Sequence, residues 1–214
     1  MTRDQGHDRA PVRFGGLTIR WDDGVLEPRP WTIAQARWGA DLLAGLPRGR
    51  VLEVCAGAGH IGLAAVAGSG RDLVMIERSP HAAELAAANA EQIAEHVEVR
   101  CVPMEEGVGE QERFVLVLAD PPWVRRGDVP RFPDDPVWAI DGGDDGLDLA
   151  RTSLGVAGRA LEPSGQLVLQ VGDAAQAETL DDAAAAVGLR RRETREVEVD
   201  GAVRGALVRY ERVG

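Results

Sequence analysis

Lysine is absent from this sequence, and its 24 basic side chains are all arginine. Without lysine, the protein cannot form a Schiff base with a carbonyl substrate or hold pyridoxal phosphate covalently. It also lacks the lysine of a phosphate-binding P-loop and the lysine of a Tyr/Lys pair for hydride transfer. The missing residue type therefore excludes several broad classes of enzyme chemistry.

Cysteine and long apolar runs are scarce as well. Cys55 and Cys101 form neither a disulfide framework nor a zinc pattern, so we predict buried, reduced thiols. The acidic run 141–148 lacks the spacing of an EF-hand, and we predict no metal site. No apolar run approaches the ~20 residues that span a bilayer, and residues 1–10 lack the core of a signal peptide. These absences predict a cytoplasmic protein without membrane contact.

The net charge of −11 disfavours a large nucleic-acid interface, which needs clustered cations. With 214 residues, 44% of them hydrophobic, the chain can bury a sizeable core. We divide it into residues 1–31, a tail with a short hairpin and an extended segment, and a main domain over residues 32–214. Gly15 and Gly16 mark the hairpin turn.

Strand and helix patterns alternate along the main domain. This alternation predicts an α/β fold with a mostly parallel sheet and right-handed crossovers. Asp200-Gly201 predicts a C-terminal antiparallel hairpin at one edge of that sheet. The predicted strands are 50–54, 72–77, 97–102, 114–119, 166–171, 190–199 and 202–211. The predicted helices are 32–46, with Thr32 as its N-cap, 59–67, 80–93, 147–161 and 174–187.

The tetrapeptide Asp120-Pro121-Pro122-Trp123 follows a fully apolar strand. The two prolines lack N–H donors and fix the backbone. Their carbonyls and the Asp120 carboxylate would form a rigid group of hydrogen-bond acceptors beside a flat ring. Such a group suits a planar NH2, whose protons the acceptors take while the ring stacks on its face. The motif predicts transfer of a group onto an amide or aromatic amine nitrogen.

Residues 51–62 indicate a strand, a glycine turn and a helix start. Gly57 and Gly59 allow close approach of a ligand, and the helix N-terminus favours its anionic groups. Glu77, at the end of the next strand, could accept both hydroxyls of a ribose, and Glu53 could help hold an amino group. An adenosyl cofactor with a charged amino-acid tail fits this set best.

Two alternatives remain for the loop. Gly57-x-Gly59-x-x-Gly62 matches the dinucleotide fingerprint, but no hydride-transfer residues accompany it. The turn could also serve only to pack a helix on a strand.

The loop, Glu77 and Asp120–Trp123 together resemble the class I S-adenosylmethionine-dependent methyltransferases that methylate planar nitrogen. Two more segments sharpen the resemblance. Residues 25–32, Val-Leu-Glu-Pro-Arg-Pro-Trp-Thr, are similar to the V-L-I-P-R-P-E-T stretch of the HemK/PrmC family, the protein-(glutamine-N5) methyltransferases. Residues 139–151 are similar to that family's A-L-x-G-G-x-D-G-L-D-x-x-R segment. The resemblance implies a Rossmann-like methyltransferase sheet in residues 32–214.

The sequence departs from the family pattern at several positions. The tetrapeptide is N-P-P-Y in the family, and D-P-P-W is more familiar in adenine-N6 methyltransferases. Cys55 and Glu53 replace the first glycine and the leading aspartate of the family's D-x-G-x-G-x-G loop. The family's N-terminal helical domain is expected to be missing, which leaves docking of a release factor in doubt.

The resemblance also implies roles for individual residues. The catalytic residues would be Asp120, Pro121, Pro122 and Trp123. The residues that bind S-adenosyl-L-methionine would be Glu53, Cys55, Ala56, Gly57, Gly59, Glu77, Arg78, Met104 and Asp120. The residues that contact the substrate would be Arg29, Trp31, Thr32 and Trp123.

The predicted function is methyl transfer to a glutamine-type carboxamide of a protein or peptide. Methylation of an adenine or cytosine amino group in nucleic acid, which the acidity disfavours, is one alternative. A small-molecule N-methyltransferase and a cofactor-binding protein without activity are the others.

Overall fold

The computed structural model describes residues 9–213, so residues 1–8, which belong to the predicted tail, lie outside the described range. The chain begins with the antiparallel hairpin β1 (Val12–Phe14) and β2 (Leu17–Ile19). Gly15 and Gly16 form its turn with φ of +58° and +89°, a region that glycine enters without strain. The predicted hairpin is therefore confirmed. The boundary proposed at residue 32 stays a prediction.

The main part of the chain alternates strands with helices. The strands are β3 (Val51–Val54), β4 (Leu73–Ile76), β5 (Val97–Arg100), β6 (Phe114–Ala119), β7 (Leu161–Val171), β8 (Leu189–Val199) and β9 (Ala202–Arg212). The helices are α1 (Ile33–Gly45), α2 (His60–Val66), α3 (Pro80–Ala90), α4 (Val137–Ile140), α5 (Asp148–Ala160), α6 (Ala174–Thr179) and α7 (Asp181–Ala186). Short 3-10 turns lie at Pro30–Thr32 and Arg126–Arg131.

Seven strands form one sheet in the order β5-β4-β3-β6-β7-β9-β8. Pairs among the first five are parallel, whereas β9 pairs antiparallel with both β7 and β8. This confirms the predicted α/β fold with a C-terminal antiparallel hairpin. The antiparallel strand β9 lies inside the sheet, and β8 forms the edge.

Helices cover both faces of the sheet, so its central strands are buried on both sides. One core lies between the sheet and α5–α7, and includes Leu154 and Phe114. The other lies between the sheet and α1–α3, and includes Trp38 and Leu63 together with Phe14 of the hairpin. Each fully buried side chain of this size contributes about 1.5–3 kcal/mol, which explains the short, wholly apolar strands.

Four local predictions were wrong in detail. Cys101, which was predicted to be buried, is exposed, and Cys55 is half-buried. Thr32 is the N-cap residue of α1, but its side chain accepts no capping bond, and its hydroxyl donates to the Arg29 carbonyl. The helix predicted over 174–187 is divided at Leu180 into α6 and α7. Strand β7 begins at Leu161 rather than at residue 166, with an irregularity in its pairing to β6.

None of the helices in residues 9–213 is long and apolar enough to cross a membrane.

Candidate active site

A cavity of about 270 Å³ opens where β3, β4 and β6 end, at the carboxyl edge of the parallel strands. Ligands of open α/β sheets bind at this edge. Ten of the predicted site residues line the cavity: Arg29, Thr32, Cys55, Ala56, Gly57, Glu77, Arg78, Met104, Asp120 and Pro122. Five do not: Trp31, Glu53, Gly59, Pro121 and Trp123.

The glycine turn forms one wall of the cavity. Cys55, Gly57 and Gly59 all have positive φ, at +56°, +53° and +78°. A Cβ on Gly57 would meet no atom within 4 Å, so the loop leaves open space there for a ligand. A Cβ on Gly59 would lie 2.8 Å from the Met75 sulfur, so glycine is needed here for close packing against Met75 and not for contact with a ligand.

Glu77 fixes the loop from the neighbouring strand. Its side chain is buried, and its two oxygens accept from Gly57 N–H at 2.9 Å and Ser79 N–H at 2.8 Å. A carboxylate oxygen has lone pairs beyond the one used in each bond. Glu77 can therefore hold the loop and still accept from ligand hydroxyls in the cavity.

Glu53 lies beneath the loop, outside the cavity lining. It is buried, and its Oε1 accepts from Gly62 N–H at 3.0 Å, while Oε2 has no partner among the described residues. Burial, together with nearby Asp120 and Glu77, raises the pKa of Glu53 to about 8 in spite of the bond from Gly62. Here Glu53 ties the strand to the start of α2, a role different from the predicted contact with an amino group.

Apolar side chains form another wall of the cavity. Ile76, Val102, Met104 and Leu149 line it. The Ser153 hydroxyl contacts the Met104 sulfur at 3.6 Å from α5. This wall forms a slot whose chemistry suits a flat heterocycle.

Asp120 and Pro122 bring the tetrapeptide to the cavity. Asp120 is half-buried, and within residues 9–213 its carboxylate accepts no hydrogen bond and forms no ion pair. Burial raises the pKa of Asp120 to about 7. An acceptor group without a protein partner is therefore directed at the space that a ligand would fill.

Trp123 turns away from the cavity lining. A Cβ on Gly172 would lie 2.7 Å from its ring, so the ring packs against the loop after β7. Trp138, from α4, lines the cavity instead and is 47% exposed. Trp138, and not Trp123, is therefore the tryptophan that the structure brings to the cavity.

Residues 26–32, the segment before α1, also contribute to the lining of the cavity. Arg29 forms an ion pair with Asp135 in the loop after the tetrapeptide, and a longer one of 3.6 Å with Glu27. Trp31 points elsewhere, where the guanidinium groups of Arg29 and Arg204 each lie 5.7 Å from its ring. Of the predicted substrate contacts in this segment, the structure brings Arg29 and Thr32 to the cavity and leaves Trp31 outside.

His60 also lines the cavity, next to the glycine loop. Its Nε2 lies 3.3 Å from Thr32 Oγ1, and its ring meets that of Phe14 edge-on at 4.8 Å. Burial lowers the pKa of His60 to about 4, so the imidazole is neutral at pH 7. Its contacts are those of a packing residue that joins the hairpin to the loop.

Two buried glutamines were missed from the sequence. Gln35 of α1 donates from Nε2 to the carbonyls of Ala119 at 2.9 Å and Val168 at 3.0 Å. Gln176 of α6 accepts from Gly172 N–H at 2.7 Å and donates to the carbonyls of Trp123 and Asp145, each at 3.1 Å. Both hold the backbone on either side of Asp120. The only signal in the sequence was a single amide within a largely apolar helix.

No group of three or more His, Cys, Asp or Glu side chains within residues 9–213 is arranged to hold a metal ion.

The sheet order and the site at its carboxyl edge define a Rossmann-like class I methyltransferase fold. Two solved structures share it. One is the hMettl16 catalytic domain in complex with an RNA hairpin, with 17% identity, a TM-score of 0.72, and coverage of 92% of this chain and 75% of that one. The other is TYW2 of M. jannaschii in complex with AdoMet, with 14% identity, a TM-score of 0.63, and coverage of 100% and 90%.

The sequence relatives are more specific. Release factor glutamine methyltransferase of Mycolicibacterium smegmatis is 32% identical over 78% of this chain and 61% of its own length. Ribosomal protein uL3 glutamine methyltransferase of Burkholderia pseudomallei is 31% identical over 58% and 45%. The family model described as "Conserved hypothetical protein 95" matches residues 33–131.

These relatives confirm the resemblance to the HemK/PrmC protein-(glutamine-N5) methyltransferases. The chain spans about three fifths of the length of the curated release factor methyltransferases that it matches.

Proposed function

We propose that this protein transfers a methyl group from S-adenosylmethionine to the nitrogen of a planar NH2, and that the acceptor is a glutamine-type carboxamide in a protein or peptide. The observation that carries the proposal is the position of Asp120. Asp120, whose carboxylate has no partner among the described residues, lines the same cavity as Gly57 of the glycine loop and Glu77. The similarity to glutamine methyltransferases supports the same acceptor.

The described residues fit the cofactor. The open space over Gly57 would admit the amino-acid tail, Glu77 would accept from the ribose hydroxyls, and the slot beside Met104 would take the adenine. When bound, S-adenosylmethionine supplies a sulfonium methyl group that is already activated toward nucleophiles. The protein therefore needs mainly to align the acceptor nitrogen with that methyl group.

Asp120 performs two tasks in this proposal. Its carboxylate accepts a hydrogen bond from the NH2 of the acceptor, which draws the nitrogen lone pair out of conjugation with the carbonyl. A charged acceptor makes a stronger bond than a neutral one. With a pKa of about 7, the carboxylate can also hold the proton that the nitrogen releases once it carries the methyl group.

The prolines keep these groups in place. Pro121 and Pro122 are buried, and the backbone after them is fixed by Gln176 through the Trp123 carbonyl. The family resemblance assigns the Pro121 carbonyl as a second acceptor for the NH2 protons and Trp123 as the stacking ring. We keep the first assignment. For the ring we propose Trp138, since it lines the cavity together with Pro122.

Methylation of a nucleic-acid amino group is the second candidate. The D-P-P-W sequence and the shared fold of an RNA-bound methyltransferase domain favour it. The net charge of −11 disfavours it.

The deciding experiment combines binding and transfer. Calorimetry with S-adenosylmethionine tests the cofactor site, and a cell lysate with methyl-labelled cofactor tests transfer. Separation of protein, nucleic acid and small molecules then identifies the acceptor class. The proposal expects cofactor binding and label on protein that is released as N5-methylglutamine after hydrolysis by proteases. Label on nucleic acid or metabolites would replace the acceptor, and binding without transfer would indicate a protein without activity.

A further inference from the structure

The exposed hydrophobic side chains of the described chain are concentrated in one place. Among residues 9–213, five large apolar side chains are exposed: Phe132, Val137, Trp138, Val203 and Val213. Three of the five, including both aromatic ones, fall within residues 132–138, in the loop that follows the tetrapeptide. Apolar surface gathered in this way marks a binding surface more often than scattered single residues do.

This surface continues from the candidate active site. Trp138 lines the cavity. Phe132, Pro133 and Pro136 line a second hollow of about 640 Å³, together with Trp21 of the N-terminal segment. Glu27 and Arg29 line both spaces, so the two are adjacent. A ligand held at Asp120 could therefore extend past Trp138 into this hollow, which we name the side groove.

The charges of the side groove favour a polypeptide with a cationic side chain over a nucleic acid. Its three arginines are each paired: Arg9 with Asp23, Arg29 with Asp135, and Arg131 with Asp128. Asp134 lines the groove and forms no ion pair with any described residue. A phosphodiester chain would meet no uncompensated cation there, whereas a cationic side chain would meet a free carboxylate.

From this arrangement we infer that the side groove binds an extended polypeptide segment next to the acceptor glutamine. An apolar side chain of that segment packs on Trp138 and Phe132, and a cationic side chain pairs with Asp134. The inference rests on the proposed function, and it adds where the acceptor chain lies and which neighbouring residues favour it. A free glutamine or a small amide would leave the groove unused.

Three synthetic probes test the inference with purified protein and S-adenosylmethionine. The first is an acetylated, amidated pentapeptide with a central glutamine, a leucine on each side and an arginine at each end. The second has aspartate in place of the arginines, and the third is N-acetylglutamine methylamide. We expect the arginine peptide to exceed the methylamide by about tenfold or more in kcat/KM, and the aspartate peptide to lie between them.

Variants of the side groove test whether it causes the preference for the arginine peptide. Phe132→Ala and Trp138→Ala should each raise KM for the arginine peptide by about tenfold. Asp134→Asn should reduce the arginine-over-aspartate preference by about two- to fivefold, as expected for an exposed ion pair. Val203→Ala, at 46% exposure on β9, is the matched control and should match the wild type. Cofactor affinity measured by calorimetry shows that each variant is folded.

The outcomes distinguish failure of the side-groove inference from failure of the proposed glutamine acceptor. Equal kcat/KM for the methylamide and the arginine peptide, or aromatic variants that match Val203→Ala, would overturn the side groove while glutamine methylation stands. Methylation of none of the three probes by a protein that binds the cofactor would overturn the acceptor itself, and the groove inference with it.

Discussion

The two walls of the candidate active site are built in different ways. The wall of the glycine loop is local, since Cys55, Gly57 and Gly59 lie within one strand–turn–helix and Glu77 holds the loop from the adjacent strand. The wall of the tetrapeptide is held by residues that are distant in sequence. Gln35 binds the Ala119 carbonyl, 84 residues along the chain, and Gln176 binds the Trp123 carbonyl, 53 residues along the chain. The first wall should therefore tolerate distant changes, whereas the second should depend on them.

The largest expected effect comes from Asp120, the acidic side chain of the tetrapeptide wall that has no protein partner among the described residues. Asp120→Ala removes the acceptor for the NH2 protons and should lower kcat by about 10²–10³-fold, within the range known for general acid–base groups. The dissociation constant for the cofactor should change by less than about threefold if the two walls act separately. Turnover with a labelled cofactor and calorimetry measure the two quantities.

Asp120→Asn serves as the matched control for that change. It keeps a side-chain oxygen at the same place and should retain more activity than Asp120→Ala, because an amide oxygen still accepts a hydrogen bond. If the alanine variant turned over as fast as the wild type, Asp120 would have no role in the transfer.

A second test acts on the tetrapeptide wall from a distance. Gln176→Leu keeps the volume of the side chain but removes three hydrogen bonds. The N–H of Gly172 and the carbonyls of Trp123 and Asp145 then lose their bonds to this side chain. We expect kcat to fall by about 10–100-fold and stability to fall by about 2–4 kcal/mol, with cofactor affinity retained. Amide hydrogen exchange should accelerate at Gly172.

Gln92→Leu provides the comparison for Gln176. Gln92 also bridges two backbone segments, accepting from Thr18 N–H at 2.9 Å and donating to the Asn89 carbonyl at 3.2 Å. It ties the hairpin to α3, outside the tetrapeptide wall. A loss of kcat in Gln92→Leu as large as that in Gln176→Leu would mean that general destabilisation, not the position of the loop, explains both.

The same contrast explains what the sequence could predict. The glycine loop and β6 follow from local patterns, and they were predicted close to their observed bounds. The ring of Trp123 could not be placed, because contact with Gly172 in another loop decides its direction. Trp138 and Gln176 gave no distinct local signal, since their importance depends on which loops the fold brings together.

The position of the Glu53 side chain could not be predicted for a related reason. A carboxylate at the end of a buried strand can face either the ligand or the helix that follows, and the pattern of residues does not distinguish them. Gly62 makes room for it under the helix, since a Cβ there would lie 2.3 Å from Oε2. Gly62 also fits the last glycine of the dinucleotide pattern, and in the structure its N–H donates to Glu53.

The pH dependence tests whether charge couples the two walls. Burial raises the pKa of Asp120 to about 7 and that of Glu53 to about 8, above the ordinary values of 3.8 and 4.5. A cationic ligand favours the ionised carboxylate, so cofactor binding near pH 7 should release protons and tighten from pH 6 to 8. Calorimetry in two buffers of different ionisation enthalpy measures the protons released.

The same shifts fix the direction of the stability change. Between about pH 6.5 and 8 the folded protein holds protons on these two groups that the unfolded chain has lost, so the free energy of unfolding should fall as pH rises. Below that range the lowered pKa of His60 opposes the change, because the unfolded chain then binds a proton that the folded protein does not. Asp120→Asn should reduce the proton release on cofactor binding. Release of the same size in that variant would assign the coupling to Glu53 alone.

The smallest expected effect lies in the glycine-loop wall. Cys55 has φ of +56°, where a side chain is strained and glycine is not. Cys55→Gly should relieve that strain, and after the entropy cost of glycine we expect a gain of about 0.5–1 kcal/mol in the free energy of unfolding.

Asp200→Gly is the matched control, because Asp200 has φ of +53° in an exposed turn and aspartate tolerates this region better. Urea midpoints should therefore rise more for Cys55→Gly than for Asp200→Gly. A lower midpoint for Cys55→Gly would show that the packing of the thiol outweighs the strain, and that even the local wall depends on contacts with the core.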